Sequence, residues 1–219
     1  MIIKKANFKS YTTIGIFCSI SEDIALLPLE ASSKFEGIIK DVFGVEVIKT
    51  SLGETNLLGS LSKIYGKKAI VSNITTDTEA QYLENLGLKT LRLNAYHAIG
   101  NLVSVNKNAV LSSKIISDAD NKKISKFYSL DFDSFNIAGT DLVGSVLATT
   151  NEAFAVSSSV NEKDFEKIKN LFKVDGNVAT VNYGDGCVSN GLLVNTKGLM
   201  VGENTTGYEI MRLDEIFRK

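Results

Sequence analysis

Two thiols and one imidazole are all the nucleophilic equipment of this chain: Cys18, Cys187 and His97 in 219 residues. A thiol attacks only as the thiolate, so it needs a depressed pKa and a base beside it. Cys187 is the better placed, with Asp185 two residues before it and His97 as the one imidazole to draw on. Cys18 sits inside an apolar strand-like run and reads as a small core residue. Neither cysteine has C-x-x-C spacing, so reduced thiols are expected rather than a bridge or a metal site. Gly184-Asp185-Gly186 has the composition of a phosphate loop, but it leads to the strand-like Leu192-Leu193-Val194 and not to a helix N-terminus. Gly66-Lys67-Lys68 lacks the upstream glycine and following Ser/Thr of a Walker loop and reads as a solvated hairpin turn. Asp131 and Asp133 share one strand face without further ligands nearby. Lys122, Lys123 and Lys126 form a small basic patch on a wet helix face. No catalytic, cofactor or metal site is expected.

Bulk composition narrows the class further. There are 24 Lys+Arg against 25 Asp+Glu, 44% apolar and 22% charged residues, one Pro and no Trp. These are the proportions of a packed globular protein, and at this length folding buries roughly 70% of the unfolded surface, so no disulfide staple is needed. A formal net charge of −1 excludes a grip on free nucleic acid by bulk electrostatics. The start, Met1-Ile2-Ile3-Lys4-Lys5, has no signal-peptide core, and no apolar run approaches the roughly 18 residues of a membrane span. A cytoplasmic protein is expected.

The elements that position these residues repeat. Glycines precede apolar runs at Gly15, Gly59, Gly100, Gly144 and Gly191, at intervals of 44, 41, 44 and 47 residues. About ten residues on comes a second apolar run, such as Ile24-Ala25-Leu26-Leu27 or Ala153-Phe154-Ala155-Val156, with polar turns such as Asn106-Lys107-Asn108 between the two. Each hairpin is followed by a capping pair: Ser33/Glu36, Thr76/Glu79, Ser117/Asp120, Asn161/Asp164 and Thr206/Glu209. The third to fifth pairs are the weaker ones, because Asp is short and Gly207 follows Thr206. Helical periodicity then takes over, as in Phe35, Ile38, Ile39, Val42 and Phe43. Gly44 and Gly87 close the first two helices. Short strands follow at Val45–Ile48, Thr90–Leu93, around Leu130–Phe132, and Val178–Val181.

Each unit therefore reads β-β-α-β over about 44 residues. The fifth lacks its last strand, its helix being expected to run to Lys219, and the apolar strand at residues 2–8 can supply what is missing. The expected organisation is one domain, 1–219, with units near 9–50, 51–94, 95–136, 137–182 and 183–219. It closes into a ring, because an open solenoid would need polar capping repeats.

Within that repeat, several segments resemble the translation initiation factor 6 family, its archaeal form in particular. They are Ile14-Gly15, Asn73 with Thr75-Thr76-Asp77 and Glu79, Gly100-Asn101-Leu102, Val143-Gly144-Ser145, Thr180-Val181-Asn182 with Gly184, and Thr205-Thr206 with Glu209. The resemblance covers the whole chain. It implies an α/β pentein fold, a closed five-fold pseudosymmetric ring of ββαβ units. It also implies a monomeric, non-enzymatic factor, without cofactor, that binds the large ribosomal subunit through ribosomal proteins with a local rRNA contact. Such binding blocks premature joining of the small subunit and accompanies late subunit maturation. Other penteins modify guanidine groups with a Cys, a His and carboxylates in the central channel, so Cys187 with His97 is the enzymatic alternative. For ribosome binding, the residues that follow the repeat glycines are expected at one end of the ring: Ile16, Ser60, Asn101, Ser145 and Leu192.

Overall fold

The computed structural model describes residues 1–218. A first strand, β1 (Ile2–Ala6), precedes five similar units. The first comprises α1 (Ile14–Phe17), β2 (Ser19–Ile20), β3 (Ile24–Pro28), α2 (Ser33–Phe43) and β4 (Glu46–Thr50). The second has α3 (Leu58–Leu61), β5 (Ser62–Tyr65), β6 (Lys68–Val71), α4 (Asp77–Asn85) and β7 (Lys89–Arg92). The third has α5 (Ile99–Leu102), β8 (Val103–Val105), β9 (Ala109–Ser112), α6 (Asp118–Tyr128) and β10 (Asp131–Ser134). In the fourth are α7 (Val143–Val146), β11 (Leu147–Thr149), β12 (Ala153–Ser157), α8 (Glu162–Phe172) and β13 (Asp175–Ala179). The fifth consists of a 3-10 turn, Val188–Asn190, then β14 (Leu192–Val194), β15 (Gly198–Gly202) and α9 (Gly207–Phe217).

Every unit forms one three-stranded sheet. The inner strand pairs antiparallel with the central strand through a tight hairpin, and the outer strand returns parallel to it after the helix. In the fifth sheet the outer place is taken by β1, which lies parallel to β15 from Ile2 opposite Gly198 to Ala6 opposite Gly202. The inner strands pack side by side around the axis, β14 against β2 included, and the 3-10 turn packs on α1, so the circle is complete. The seam between the fifth and first units is polar as well as apolar. Asn182 Nδ2 donates to the Thr12 carbonyl at 3.2 Å, Asn195 Nδ2 to the Phe43 carbonyl at 3.1 Å, and the Thr196 hydroxyl to Glu22 at 2.5 Å.

Five apolar clusters form the core, each shared between neighbouring units rather than enclosed in one. Ile24, Leu26 and Ile48 of the first unit pack with Leu58, Ile64 and Leu83 of the second. Across the closing seam, Leu193 and Met200 pack with Ile39, Val42 and Phe43. The helical stripe read from the sequence explains this: Phe35, Ile39, Val42 and Phe43 of α2 are buried and Ile38 half-buried.

Several local expectations shift. The apolar run after each repeat glycine does not start as strand; in the first four units the glycine lies inside a four-residue helical turn that precedes the inner strand. The first helix is capped by Ser32, not Ser33, its side chain accepting from the Phe35 N–H at 3.2 Å. Thr206/Glu209, expected to be weak because of Gly207, makes a complete capping box. The strand expected at Val178–Val181 is β13, three residues earlier. The last helix ends at Phe217, and the expected end at Lys219 lies outside the described residues.

Candidate functional site

Chain direction fixes what gathers at each end of the ring. Outer strands run parallel to central strands, so the turns that leave β1, β4, β10 and β13 emerge at the end where β3, β6, β9 and β12 hand over to their helices. Inner strands run the opposite way, so the short turns that precede them lie at that same end, next to the axis. Four of these turns carry glycine second: Gly15, Gly59, Gly100 and Gly144. A Cβ on Gly59 would overlap the Gly15 carbonyl oxygen, one on Gly100 that of Gly59, and one on Gly144 that of Gly100. Each turn thus rests its backbone on the preceding one, which only glycine permits. Together they make a collar around the axis.

The fifth collar position is Ser189, not Gly191. Val188-Ser189 occupies the place of Ile14-Gly15, Leu58-Gly59, Ile99-Gly100 and Val143-Gly144, and its carbonyl is the one a Cβ on Gly15 would strike. The Ser189 hydroxyl donates to the Leu147 carbonyl at 2.9 Å. The residue after it is Asn190, so Leu192 is removed from the expected set: it opens β14 and is buried in the core. Ser145 lies in the collar but is buried, its Oγ without a partner. Ile16, Ser60 and Asn101 are half-buried there, with Asn101 reaching the cavity on the axis. The missed register was readable, since an apolar residue precedes all five positions and 144 to 189 is an interval of 45.

Around the collar, large apolar side chains stand in water at this end. Leu29, Ile74 and Ile115 occupy the turns after β3, β6 and β9, and Tyr11, Leu57 and Leu142 lie between the outer strands and the collar. Tyr183, at the corresponding place in the fifth unit, is 81% exposed.

Two buried carboxylates hold this rim in shape. Glu79 accepts from the Ser51 hydroxyl at 2.6 Å and the Gly53 and Glu54 N–H groups at 2.8 and 3.0 Å, besides its own cap at Thr76. Glu209 does the same for Thr180 at 2.8 Å and for the Tyr183 and Gly184 N–H groups at 3.3 and 2.8 Å. Burial pushes both carboxyls up, but these hydrogen bonds outweigh it and hold each below its ordinary range.

The enzymatic alternative meets unfavourable geometry. Cys187 is half-buried, and burial together with the Asp185 carboxylate beside it raises its thiol pKa, the opposite of what a nucleophile needs. Cys18 is buried and pushed up by desolvation. His97 is exposed on the loop before α5, and neither it nor Cys187 lines the axial cavity. Asp131 and Asp133 are exposed, Gly66-Lys67 is the β5–β6 hairpin turn, and Lys123 pairs with Asp120 at 2.8 Å. Among the described residues no group of three or more His, Cys, Asp or Glu is placed to hold a metal, and no helix is long and apolar enough to cross a membrane.

Residues 3–216 match the model of the eIF-6 family. The chain belongs to that family. Translation initiation factor 6 of Methanocorpusculum labreanum is 30% identical over 208 residues, covering 93% of each chain. That of Picrophilus torridus is 29% identical over 215 residues, covering 98% of this chain and 99% of its own. Among solved structures, the N-terminal domain of the cyanobacterial arginine dihydrolase ArgZ has a TM-score of 0.58 at 12% identity, over 83% of this chain and 74% of its own. At that identity the likeness is one of fold, and the fold is the pentein ring.

Proposed function

We propose that this member of the eIF-6 family acts as a binding factor and not as an enzyme. It docks on the large ribosomal subunit through the collar end of the ring and keeps the small subunit from joining. The observation that carries the reading is the concentration of exposed apolar side chains at that one end, around half-buried Ser60 and Asn101. A rigid, apolar-studded face with polar groups among it is what a stable protein interface requires. The family membership supports the ribosome as the partner. Mild overall acidity fits a basic ribosomal protein at the contact.

Co-sedimentation with purified large subunits tests this. Asn101→Arg sets an unpaired cation against the expected basic partner and should cost about 2 kcal/mol, a roughly thirtyfold loss of affinity. Lys123→Glu on α6 should leave affinity nearly unchanged. If Asn101→Arg binds like wild type while Lys123→Glu does not bind, the docking face is the helical rim instead. Turnover of an arginine-like substrate that disappears in Cys187→Ala, without ribosome binding, would overturn the reading as a whole.

A further inference from the structure

A cavity of about 80 Å³ lies on the axis behind the collar, lined from all five units. Its walls carry polar groups at Ser19, Asn101, Thr149 and Asn190 and one charged side chain, Lys63 of β5. No Asp or Glu lines it. The Lys63 ammonium makes no ion pair and no hydrogen bond among the described residues, although the backbone carbonyl of the same residue accepts from the Tyr128 hydroxyl at 2.6 Å. Four residues past its collar position, Lys63 has Ser19 as its counterpart on the neighbouring inner strand β2, and both line the cavity. An unpaired ammonium, the Ser19 hydroxyl and the Asn101 and Asn190 amides thus line a small chamber that supplies no counter-charge.

We propose that the axial cavity is an anion site, in which a small inorganic anion between halide and phosphate in size is held by Lys63 with hydroxyl and amide donors of the neighbouring units. Other titratable groups near β5 do not neutralise the lysine. Cys18 on the adjoining unit is a neutral thiol, Tyr128 and Tyr65 are phenols, Lys68 lies at the far end of the hairpin, and Asp23 and Glu22 sit at the hairpin mouth, Glu22 being engaged by Thr196. Desolvation lowers the Lys63 pKa to about 8, so the empty site disfavours its own charge. A bound anion favours the charged form further. Binding therefore weakens as the pH rises past 8, and the anion in turn shifts the lysine midpoint upward.

The test uses the free full-length protein and does not involve the ribosome, so it stands or falls apart from the docking proposal. At pH 7 and constant ionic strength, replacing gluconate by bromide or by inorganic phosphate should raise Tm in a saturating way for wild type and leave Lys63→Met unmoved. General salt effects do not saturate and do not depend on one side chain. The shift should shrink when the same titration is run well above pH 8. Independently, anomalous diffraction from bromide-soaked crystals of the wild-type chain should show a bromide within hydrogen-bonding distance of Lys63 Nζ, which settles the question even if Lys63→Met does not fold. Equal shifts in wild type and variant, or a cavity holding only water in the bromide maps, would overturn the proposal.

Discussion

The second and fifth units are built alike at the rim and differently at the collar. Both use the glutamate of a complete capping box, Glu79 or Glu209, to tie down the turn that leads into the unit. At the axis the second unit places Gly59 directly on the Gly15 backbone, whereas the fifth carries Ser189 on a 3-10 turn, the one collar position with a Cβ. The rim motif recurs because it depends on local geometry: a helix N-terminus, a glutamate long enough to reach past it, and a turn with free N–H groups. The collar depends on five separate turns meeting around one axis, and the last to close need not repeat the others. In the third and fourth units an aspartate takes the glutamate's place beside the caps Ser117 and Asn161: Asp120 meets the preceding loop through the Tyr96 hydroxyl at 3.3 Å rather than through its backbone, and Asp164 bonds Asn161 and Lys167. The shorter aspartates thus take no backbone N–H of the turn that leads into their unit, whereas each glutamate takes two.

Substitutions can break this comparison. The largest effect is expected from Gly59→Ala. Its methyl would collide with backbone at Gly15 that cannot move without opening the collar, so a loss of about 3 kcal/mol or more should appear as a lowered urea midpoint. Glu79→Gln and Glu209→Gln come next and should resemble one another. Each leaves an amide facing backbone donors, at a cost of about 1–2 kcal/mol at pH 7. Their folded-state pKa values lie below the ordinary 4.5, so the anchors are complete above that pH and are lost as pH falls through the folded values. The gap between wild type and either variant should close in acid. Markedly unequal losses would show that the two rims are not equivalent after all. The smallest effect is expected from Ser189→Ala, which removes one hydrogen bond to Leu147 and should cost about 1 kcal/mol. A loss as large as that of Gly59→Ala would mean that the fifth joint is as tight as the other four.

Much of this was legible in advance, and unevenly. The five-fold repeat, four of the five capping pairs and the supply of a strand by the N-terminus follow from periodicity and from short-range hydrogen-bonding chemistry, the first cap being Ser32 instead of Ser33. The structure places the set Ile16, Ser60, Asn101, Ser145 and Leu192 unevenly. Three are half-buried at the collar, Ser145 is buried there, and Leu192 belongs to the core because Ser189, and not Gly191, holds the collar position of the fifth unit. Glycine does not mark the fifth collar position; the pattern common to all units is an apolar residue followed by a small one, Val188-Ser189 in the fifth. The second role of Glu79 and Glu209 was also hidden, since the turns they bind lie 25 or more residues away in the chain.

By itself the amino-acid sequence determined the unit, its number and its family, because helix caps, tight turns and apolar periodicity act over a few residues and leave their pattern in the order of side chains. Only the tertiary structure decided which carbonyl each collar turn rests on, which exposed apolar residues share one end, and that Lys63 faces a chamber without a counter-charge. Those facts depend on five distant segments meeting around an axis, and a contact between segments some 44 residues apart leaves no local mark in either of them.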